Sequence, residues 1–228
     1  MNYRLAVLTH GRHDERPAVE AFLAHASPEP AVVDVFRDAA PQRGFCQATA
    51  RLWAISAAGA EDYVFWLEQD FRLCRAVDLR ELAAVLDETN RPLTDLERPI
   101  YGWAEYRHGR LAQIALLRDA YSDEEKAAGG LFELRRDDFT PMTGYRDDFD
   151  IDDGMGAEYV QWLRMPWFTT NPSLMRRDFM AAHPFEPDEP HCEGKFGISL
   201  AEEGFEFGTW GSGEVFCRHV GARDGFGY

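Results

Sequence analysis

Five consecutive apolar residues, Tyr63 to Leu67, form the strongest secondary-structure signal in this 228-residue sequence. The run is too short for a helix, and its lack of polar alternation predicts a strand that is covered on both faces. Strands of this kind are typical of parallel sheets that carry helices on both sides. The run therefore predicts a fold of the α/β class.

The chain before this run alternates between strand and helix patterns. Leu5 to Leu8 is a short apolar run that ends at a polar turn, and apolar residues at helical spacing then continue to Leu23. Val32 to Phe36 is a second run rich in β-branched residues, and a second helical pattern begins after Gly44. This β-α-β-α-β order predicts a mainly parallel sheet with right-handed crossovers, flanked by helices.

The remaining sequence has weaker patterns, and neither an internal repeat nor a domain linker is found. We therefore expect one domain over residues 1–228. The further elements predicted from spacing and turn residues are a helix over 79–86, a hairpin over 100–117, a short helix near 175–180, a helix over 193–203, and strands over 205–210 and 215–219.

Seven aspartates lie between Asp137 and Asp153, among glycines and few aliphatic residues. A solvated surface loop is the plain interpretation of this segment. A mobile lid beside an active site is the alternative, because flexible insertions of this kind often border catalytic clefts. The sequence leaves both interpretations open.

Charge and cysteine content restrict the partners and the compartment. The 24 Lys and Arg against 40 Asp and Glu give a formal net charge of −16, which disfavours non-specific contact with nucleic acid or anionic membranes. No signal peptide or transmembrane run is evident, so we predict a cytoplasmic protein without membrane contact. Four scattered cysteines show neither zinc-site spacing nor disulfide density, and we expect reduced thiols at Cys46, Cys74, Cys192 and Cys217.

Polar residues that follow the predicted strands are the first functional candidates, because ligands of open α/β sheets bind at the carboxyl ends of strands. Thr9-His10-Gly11-Arg12 follows the first strand, and Asp34, with Arg37 and Asp38, is placed at the end of the second. A plain turn explains the first group equally well. As a functional residue Asp34 would hold a base or a ribose, and as a surface charge it needs no function.

Glu68-Gln69-Asp70 carries two carboxylates directly after the most apolar strand. Mg²⁺ and Mn²⁺ prefer oxygen ligands, and they often use one or two protein carboxylates while substrate and water supply the rest. An acid-x-acid pair at a strand end satisfies that need. Because the same pair arises by chance in an acidic protein, the position of the triplet supports a metal site more than its composition does.

The order of these parts resembles the nucleotide-binding half of GT-A glycosyltransferases of family 2, in the segments LAVLTHGR, GFCQATARLWAISAA and YVFWLEQDF. Later segments resemble the acceptor-side half of small glycosyltransferases from actinobacteria and their phages, namely TTNPSLMRRDF, HCEGKFGISLAEEGFEFGTWG and RHVGARDGFGY. The resemblance implies one Rossmann-like GT-A domain. Its nucleotide-sugar-binding half would span residues 1–75 and its acceptor-side half residues 76–228.

The resemblance also implies a metal site and a donor site. Asp70 matches the main ligand of Mn²⁺ or Mg²⁺, Glu68 stands where Asp is more usual, and His219 matches a late histidine that completes the metal shell. A packed histidine is the structural alternative for His219. The resemblance implies a UDP-sugar as the donor. The predicted donor-binding residues are Thr9, His10, Gly11, Arg12, Asp34, Arg43, Arg51 and Gln69, with Arg176 and Arg177 as alternative diphosphate contacts.

Glu193 matches the general base of inverting members, at the start of a helix on the acceptor side. An ionised carboxylate is favoured at a helix N-terminus, and a general base must reach the acceptor hydroxyl. An ordinary helix-start glutamate is the structural alternative, and Asp188 and Glu189 are fallback candidates. Acceptor-side contacts are assigned to Trp103, Asn171 and Trp210, although tryptophans more often pack in cores.

These assignments predict metal-dependent transfer of a sugar from a nucleotide diphosphate sugar to an acceptor hydroxyl, with inversion implied by the resemblance. The sequence leaves the acceptor open among protein, glycan, lipid-linked sugar and modified DNA base. A nucleotidyltransferase of similar fold is a weaker interpretation, because its Gly- and Lys/Arg-rich phosphate loop is represented only by Gly11-Arg12. A non-catalytic sugar-nucleotide-binding protein is the third.

Overall fold

The computed structural model describes residues 1–9, 14–38, 44–90, 110–119, 140–143, 160–165, 168–187, 191–211 and 214–220, and all structural statements below concern these residues. The helices are α1 (Arg16–His25), α2 (Phe45–Ala57), α3 (Leu79–Thr89), α4 (Arg177–Ala182) and α5 (Cys192–Glu202). The strands are β1 (Tyr3–Thr9), β2 (Ala26–Ser27), β3 (Val32–Arg37), β4 (Tyr63–Glu68), β5 (Phe71–Leu73), β6 (Val77–Asp78), β7 (Arg110–Leu116), β8 (Thr140–Thr143), β9 (Val160–Met165), β10 (Ser173–Arg176), β11 (Phe205–Trp210) and β12 (Cys217–His219).

Eight strands form one mixed sheet in the order β3-β1-β4-β10-β7-β11-β9-β8. β1 pairs in parallel with β3 and β4, and β7 pairs in parallel with β11. β10 runs antiparallel between β4 and β7, and β9 and β8 extend the sheet through antiparallel pairs. The first six strands of this order are flanked by helices, so the domain belongs to the α/β class.

β4 is the strand that the apolar run predicts, and the prediction is confirmed. It lies between β1 and β10, and the side chains of Val64, Phe65, Trp66 and Leu67 are at most 1% exposed. Successive strand residues point to opposite faces. Phe65 and Leu67 therefore pack with α1 and α3 on one face, and Val64 and Trp66 pack with α2, α4 and α5 on the other.

Local sequence explains where the helices begin. α1 has a proline in its first turn, where the missing N–H is not needed. α2 follows Gly44, whose φ of 88° is a conformation that glycine adopts freely. α3 is capped by Asp78, whose carboxylate accepts a hydrogen bond from the Arg80 N–H at 3.0 Å. Among the helices described, none has the length and apolarity needed to cross a membrane.

The chain order creates a reversal at the centre of the parallel strands. From β1 the chain passes through α1 to β3 on one side, and then through α2 to β4 on the other side of β1. α1 and α2 cover opposite faces of the sheet. The carboxyl ends of β1 and β4 therefore form a topological switch point, the place where open α/β sheets bind ligands.

The prediction of a mainly parallel sheet holds for β3-β1-β4 and β7-β11 and is wrong at the antiparallel strands. The helix predicted near 175–180 begins only at Arg177, because Ser173–Arg176 forms β10. Leu174 and Met175 pack into the clusters on opposite faces of the sheet, which is the two-residue period of a strand. A four-residue strand is too short to show this period clearly in sequence.

The aspartate-rich segment is partly described. Thr140–Thr143 forms β8 and pairs with β9, so the prediction of a continuous loop is wrong for these four residues. The rest of the segment between Asp137 and Asp153 lies outside the described residues, as does the first strand of the hairpin predicted over 100–117. The second strand of that hairpin is β7.

Trp53 offers a test of the packing on the α2 face of the sheet. Its side chain is 2% exposed, and its indole Nε1 donates to the carbonyl oxygens of Met180 and His183, each at 3.0 Å. We expect Trp53→Ala to lower the free energy of unfolding by about 3–5 kcal/mol, measured by urea titration. Ile55→Ala, at a side chain that is 42% exposed on the same helix, is the control and changes stability by at most about 0.5 kcal/mol. Equal losses in the two variants would contradict this packing.

Candidate functional site

Asp70 and His219 are 149 residues apart in the sequence and in contact in the structure. Nε2 of His219 lies 2.9 Å from Oδ2 of Asp70. The N–H of Val220 also donates to the carbonyl oxygen of Asp70 at 2.7 Å, so the two segments are joined through the backbone as well. The structure thus brings together the two residues that the sequence analysis assigned to one metal site.

The position of His219 is fixed by β5 and by the segment after β7. β12 pairs antiparallel with β5, and the His219 ring lies 5.1 Å, centroid to centroid, from the ring of Phe71, with the two planes tilted by 53°. Oδ1 of Asp119 accepts a hydrogen bond from the His219 N–H at 3.1 Å. Sequence reasoning missed Asp119. Its position shortly after the apolar strand β7 could have indicated it, because the same kind of position selected Asp70.

The Asp70–His219 contact fits a divalent cation. Two adjacent ligands of an octahedral ion lie roughly 3 Å apart when each ligand bond is about 2.1 Å. The 2.9 Å between Oδ2 and Nε2 matches that separation. The described part of the chain contains no group of three or more His, Cys, Asp or Glu that could hold a metal. Water and substrate would therefore supply the other ligands of Mn²⁺ or Mg²⁺, an arrangement usual for these ions.

Thr9 and Gln69 meet at the switch point. The hydroxyl of Thr9 donates to Oε1 of Gln69, and the N–H of Gln69 donates to the carbonyl oxygen of Leu8 at 3.0 Å. Asp38 follows β3 and donates its N–H to the carbonyl oxygen of Thr9 at 2.8 Å. All three residues are buried. The carboxyl ends of β3, β1 and β4 are therefore joined by polar contacts next to Asp70.

Asp34 is the third residue of β3, so its predicted position at a strand end is wrong. Its carboxylate forms an ion pair with Arg4, which also binds Glu61 at 2.8 Å. Arg4 lies near the start of β1, and Glu61 precedes β4. This ion-pair cluster therefore lies towards the amino ends of the strands, away from the switch point. Asp38, which was predicted at the same strand end, does follow the end of β3.

The two carboxylates of Glu68-Gln69-Asp70 leave β4 in different directions. Glu68 is in register with Leu8, whose side chain packs on the face covered by α2 and α5. Asp70 lies in the following turn and contacts β12, where Cys217 packs in the cluster on the opposite face. Asp70 therefore lies in contact with His219 and Glu68 does not share that direction, and the assignment of both carboxylates as metal ligands stays a prediction.

Glu193 is the second residue of α5, as the sequence pattern predicts. Its Oε1 accepts hydrogen bonds from the N–H of Thr170 at 2.6 Å and from the hydroxyl of Thr170 at 3.3 Å. Thr170 lies in the segment that enters the antiparallel strand β10, and the carbonyl oxygen of Pro172 accepts from the N–H of Leu116 at the end of β7. Glu193 is therefore at the same edge of the sheet as Asp70.

A disulfide joins Cys46 and Cys192, with Cα atoms 5.9 Å apart, so the prediction of reduced thiols is wrong for this pair. The two cysteines are separated by 146 residues, and sequence spacing gave no sign of their contact. The bond links the N-termini of α2 and α5 beside Glu193. Disulfides are typical of oxidising compartments and therefore do not favour the cytoplasmic prediction. Cys74 and Cys217 are free thiols.

The acceptor-side candidates fall at the same edge as Glu193. Asn171 is half-buried next to Thr170, and its N–H donates to Oγ1 of Thr169 at 3.2 Å. Trp210 is the last residue of β11, which is parallel to β7, and its ring packs partly against the core. The structure therefore leaves both residues as candidates, with a packing role for Trp210 in addition.

The arginines proposed for the diphosphate are dispersed. Arg51 is exposed on α2. Arg176 is in register with Tyr63 at the start of β4, and the N–H of Arg177 donates to the carbonyl oxygen of Asp62. The start and end of β4 are separated by roughly 17 Å at about 3.3 Å per residue. Arg176 and Arg177 therefore belong to the edge of the sheet opposite Asp70, and their assignment as diphosphate contacts is wrong.

Several predicted site residues cannot be placed in this geometry, because they lie outside the described residues: His10, Gly11, Arg12, Arg43, Trp103, Asp188 and Glu189. Comparisons with protein-family models and with curated protein sequences gave no match. A function for this chain is therefore proposed from the residues at the switch point. What these define is an α/β domain with a carboxylate–imidazole pair at the carboxyl edge of its parallel strands.

The disulfide gives a stability prediction. Replacing both cysteines, Cys46→Ser with Cys192→Ser, removes a cross-link that closes a long loop and should lower the free energy of unfolding by about 3–5 kcal/mol. Chemical denaturation with and without dithiothreitol measures the effect, and reduction of the wild type should reproduce the loss. Cys74→Ser, at an exposed free thiol, is the control. Wild-type stability that does not depend on the reductant would contradict the cross-link.

Proposed function

We propose that the chain is a metal-dependent glycosyltransferase that moves a sugar from a nucleotide diphosphate sugar to an acceptor hydroxyl. The observation that carries the proposal is the contact of Asp70 with His219 at 2.9 Å beside the switch point. The carboxylate suits Mn²⁺ or Mg²⁺, which share their remaining positions with water and phosphate oxygens, and the imidazole beside it would be a further ligand. The resemblance of the sequence to GT-A enzymes is the source of the assignment of these two residues to one metal site.

The proposed donor site lies between the strand ends and β12. Asp70 and His219 would hold Mn²⁺ or Mg²⁺, which when bound neutralises charge on the leaving diphosphate. Thr9 and Gln69, joined by their hydrogen bond, would line the same edge of the sheet for the nucleotide. UDP-sugars are the first donors to test, because the resemblance favours them.

Glu193 is the proposed general base. Two hydrogen bonds from Thr170 fix one oxygen of its carboxylate, and the N-terminus of α5 favours its ionised form. The disulfide beside it ties α5 to α2 and so limits movement of the helix start. A carboxylate fixed in this way can take the proton from an acceptor hydroxyl that approaches from the side of Asn171.

Donor turnover tests the proposal. Purified protein is incubated with UDP-glucose or GDP-mannose and Mn²⁺, with and without an acceptor panel, and release of the nucleoside diphosphate is measured. We expect activity that EDTA abolishes, that Asp70→Ala lowers at least about 100-fold, and that Glu193→Gln lowers by about 10²–10⁴-fold in kcat.

Asp62→Asn, at an exposed carboxylate by the opposite edge of the sheet, is the matched control and should retain wild-type turnover. Metal-independent turnover, or full activity in Asp70→Ala, would overturn the proposal. Release of pyrophosphate from a nucleoside triphosphate would instead assign a nucleotidyltransferase. Donor binding without turnover on any acceptor would assign a binding protein.

A further inference from the structure

Two arginines face each other directly on the ribbon formed by β5 and β12. Arg72 is in register with Arg218 in this antiparallel pair. Their strand neighbours Phe71, Leu73 and Cys217 are buried in the core, so strand alternation directs both arginine side chains to the outer face. Like charges placed opposite each other in a ribbon are destabilising. The arrangement therefore needs a reason other than the stability of the ribbon.

The two arginines lie in a chain that is rich in acidic residues. Acidic residues outnumber Lys and Arg by 40 to 24, yet neither Arg72 nor Arg218 forms an ion pair with any carboxylate in the described part of the chain. Arg4, Arg16, Arg80 and Arg176 each form one. Two positive charges thus lie side by side without a direct ion pair to the described residues.

The guanidinium of Arg72 is held in one orientation. Its Nη1 donates to the carbonyl oxygens of Gln69 and Phe71, at 2.6 and 2.8 Å. The Nε and Nη2 edge makes no hydrogen bond to the described residues. That edge is one of the two that bind phosphate oxygens bidentately. Because the turn already fixes the side chain, little conformational entropy is lost when an anion binds.

The pair lies beside Asp70 and His219. Arg72 lies two residues after Asp70, in β5, and Arg218 directly precedes His219. Burial lowers the pKa of Arg72 from its ordinary value, and the nearby charges of Asp70 and Asp14 act in the opposite direction. Arginine remains protonated at neutral pH, so the positive charge is permanent.

We propose that Arg72 and Arg218 form a binding site for the phosphate groups of a phosphorylated ligand, on the outer face of the β5–β12 ribbon. The site itself stands on this geometry alone. Its identification with the diphosphate of the sugar donor rests on the proposed function. In that case the arginines and the cation would contact the same diphosphate, and the arginines would take the role assigned to Arg51, Arg176 and Arg177 in the sequence analysis.

Binding of inorganic pyrophosphate tests the site without any donor sugar. Isothermal titration calorimetry is run in EDTA at low ionic strength on the wild type, Arg72→Gln, Arg218→Gln and Arg72→Lys. We expect each glutamine variant to raise Kd about tenfold, the loss of one charge-assisted contact. Arg72→Lys should lie between, because it keeps the charge and loses the bidentate edge.

Arg80→Gln is the control, because it removes the same charge at the start of α3, where Arg80 pairs with Asp78. It should leave Kd unchanged. No binding of pyrophosphate to the wild type, or equal Kd in wild type and both glutamine variants, would overturn the site. Asp70→Ala should retain pyrophosphate binding in EDTA, because the cation takes no part there.

Thermal unfolding separates a ligand site from a structural role. Arg218→Gln relieves the like-charge contact, so the melting temperature of the protein without ligand should stay the same or rise by about 1–3 °C. A marked fall would assign Arg218 to the fold instead and overturn the site. Arginine-dependent pyrophosphate binding without any sugar transfer would leave the site standing and refute the proposed function. Sugar transfer with an unchanged donor KM in the double variant would refute the role of these arginines.

Discussion

Burial of β4 on both faces is the constraint on which the rest of the structure depends. Its apolar side chains pack with α1 and α3 on one side and with α2, α4 and α5 on the other. No position within the strand can therefore carry a polar side chain without cost, and polarity is confined to its end. The first place where the chain can bring carboxylates to this part of the sheet is Glu68 to Asp70.

The sequence predicts β1, α1, β3, α2 and β4 correctly because each has a clear local period. It is less informative where structure depends on distant partners. β10 has four residues, of which Met175 and Arg176 were predicted as part of a helix, and it runs antiparallel between two strands that are distant in sequence, β4 and β7. Two further features depend on contacts between distant parts of the chain, and no local sequence pattern predicts them. They are the disulfide between Cys46 and Cys192 and the pair of Arg72 and Arg218.

The residues of the candidate site also divide into those that a local sequence pattern predicts and those that it does not. Asp70 was predicted from its position after an apolar strand, whereas His219 was predicted only from the resemblance of the sequence to GT-A enzymes. The structure shows the two side chains in contact. Asp34 lies inside the predicted run Val32 to Phe36 and not at its end, and its carboxylate forms an ion pair with Arg4. Asp119 also follows an apolar strand, as Asp70 does. It was not predicted, because strand-end candidates were named only for the first three strands.

β12 is not a strand of the main sheet, since it pairs with β5 in a separate two-stranded ribbon. All eight strands of the main sheet are complete once the chain has reached Trp210. His219 is therefore carried by a ribbon outside the main sheet, and its contact with Asp70 joins that ribbon to the end of β4. A chain cut short after β11 would lose more than the imidazole, because Phe216 and Cys217 pack in the same cluster as Phe65 and Leu67.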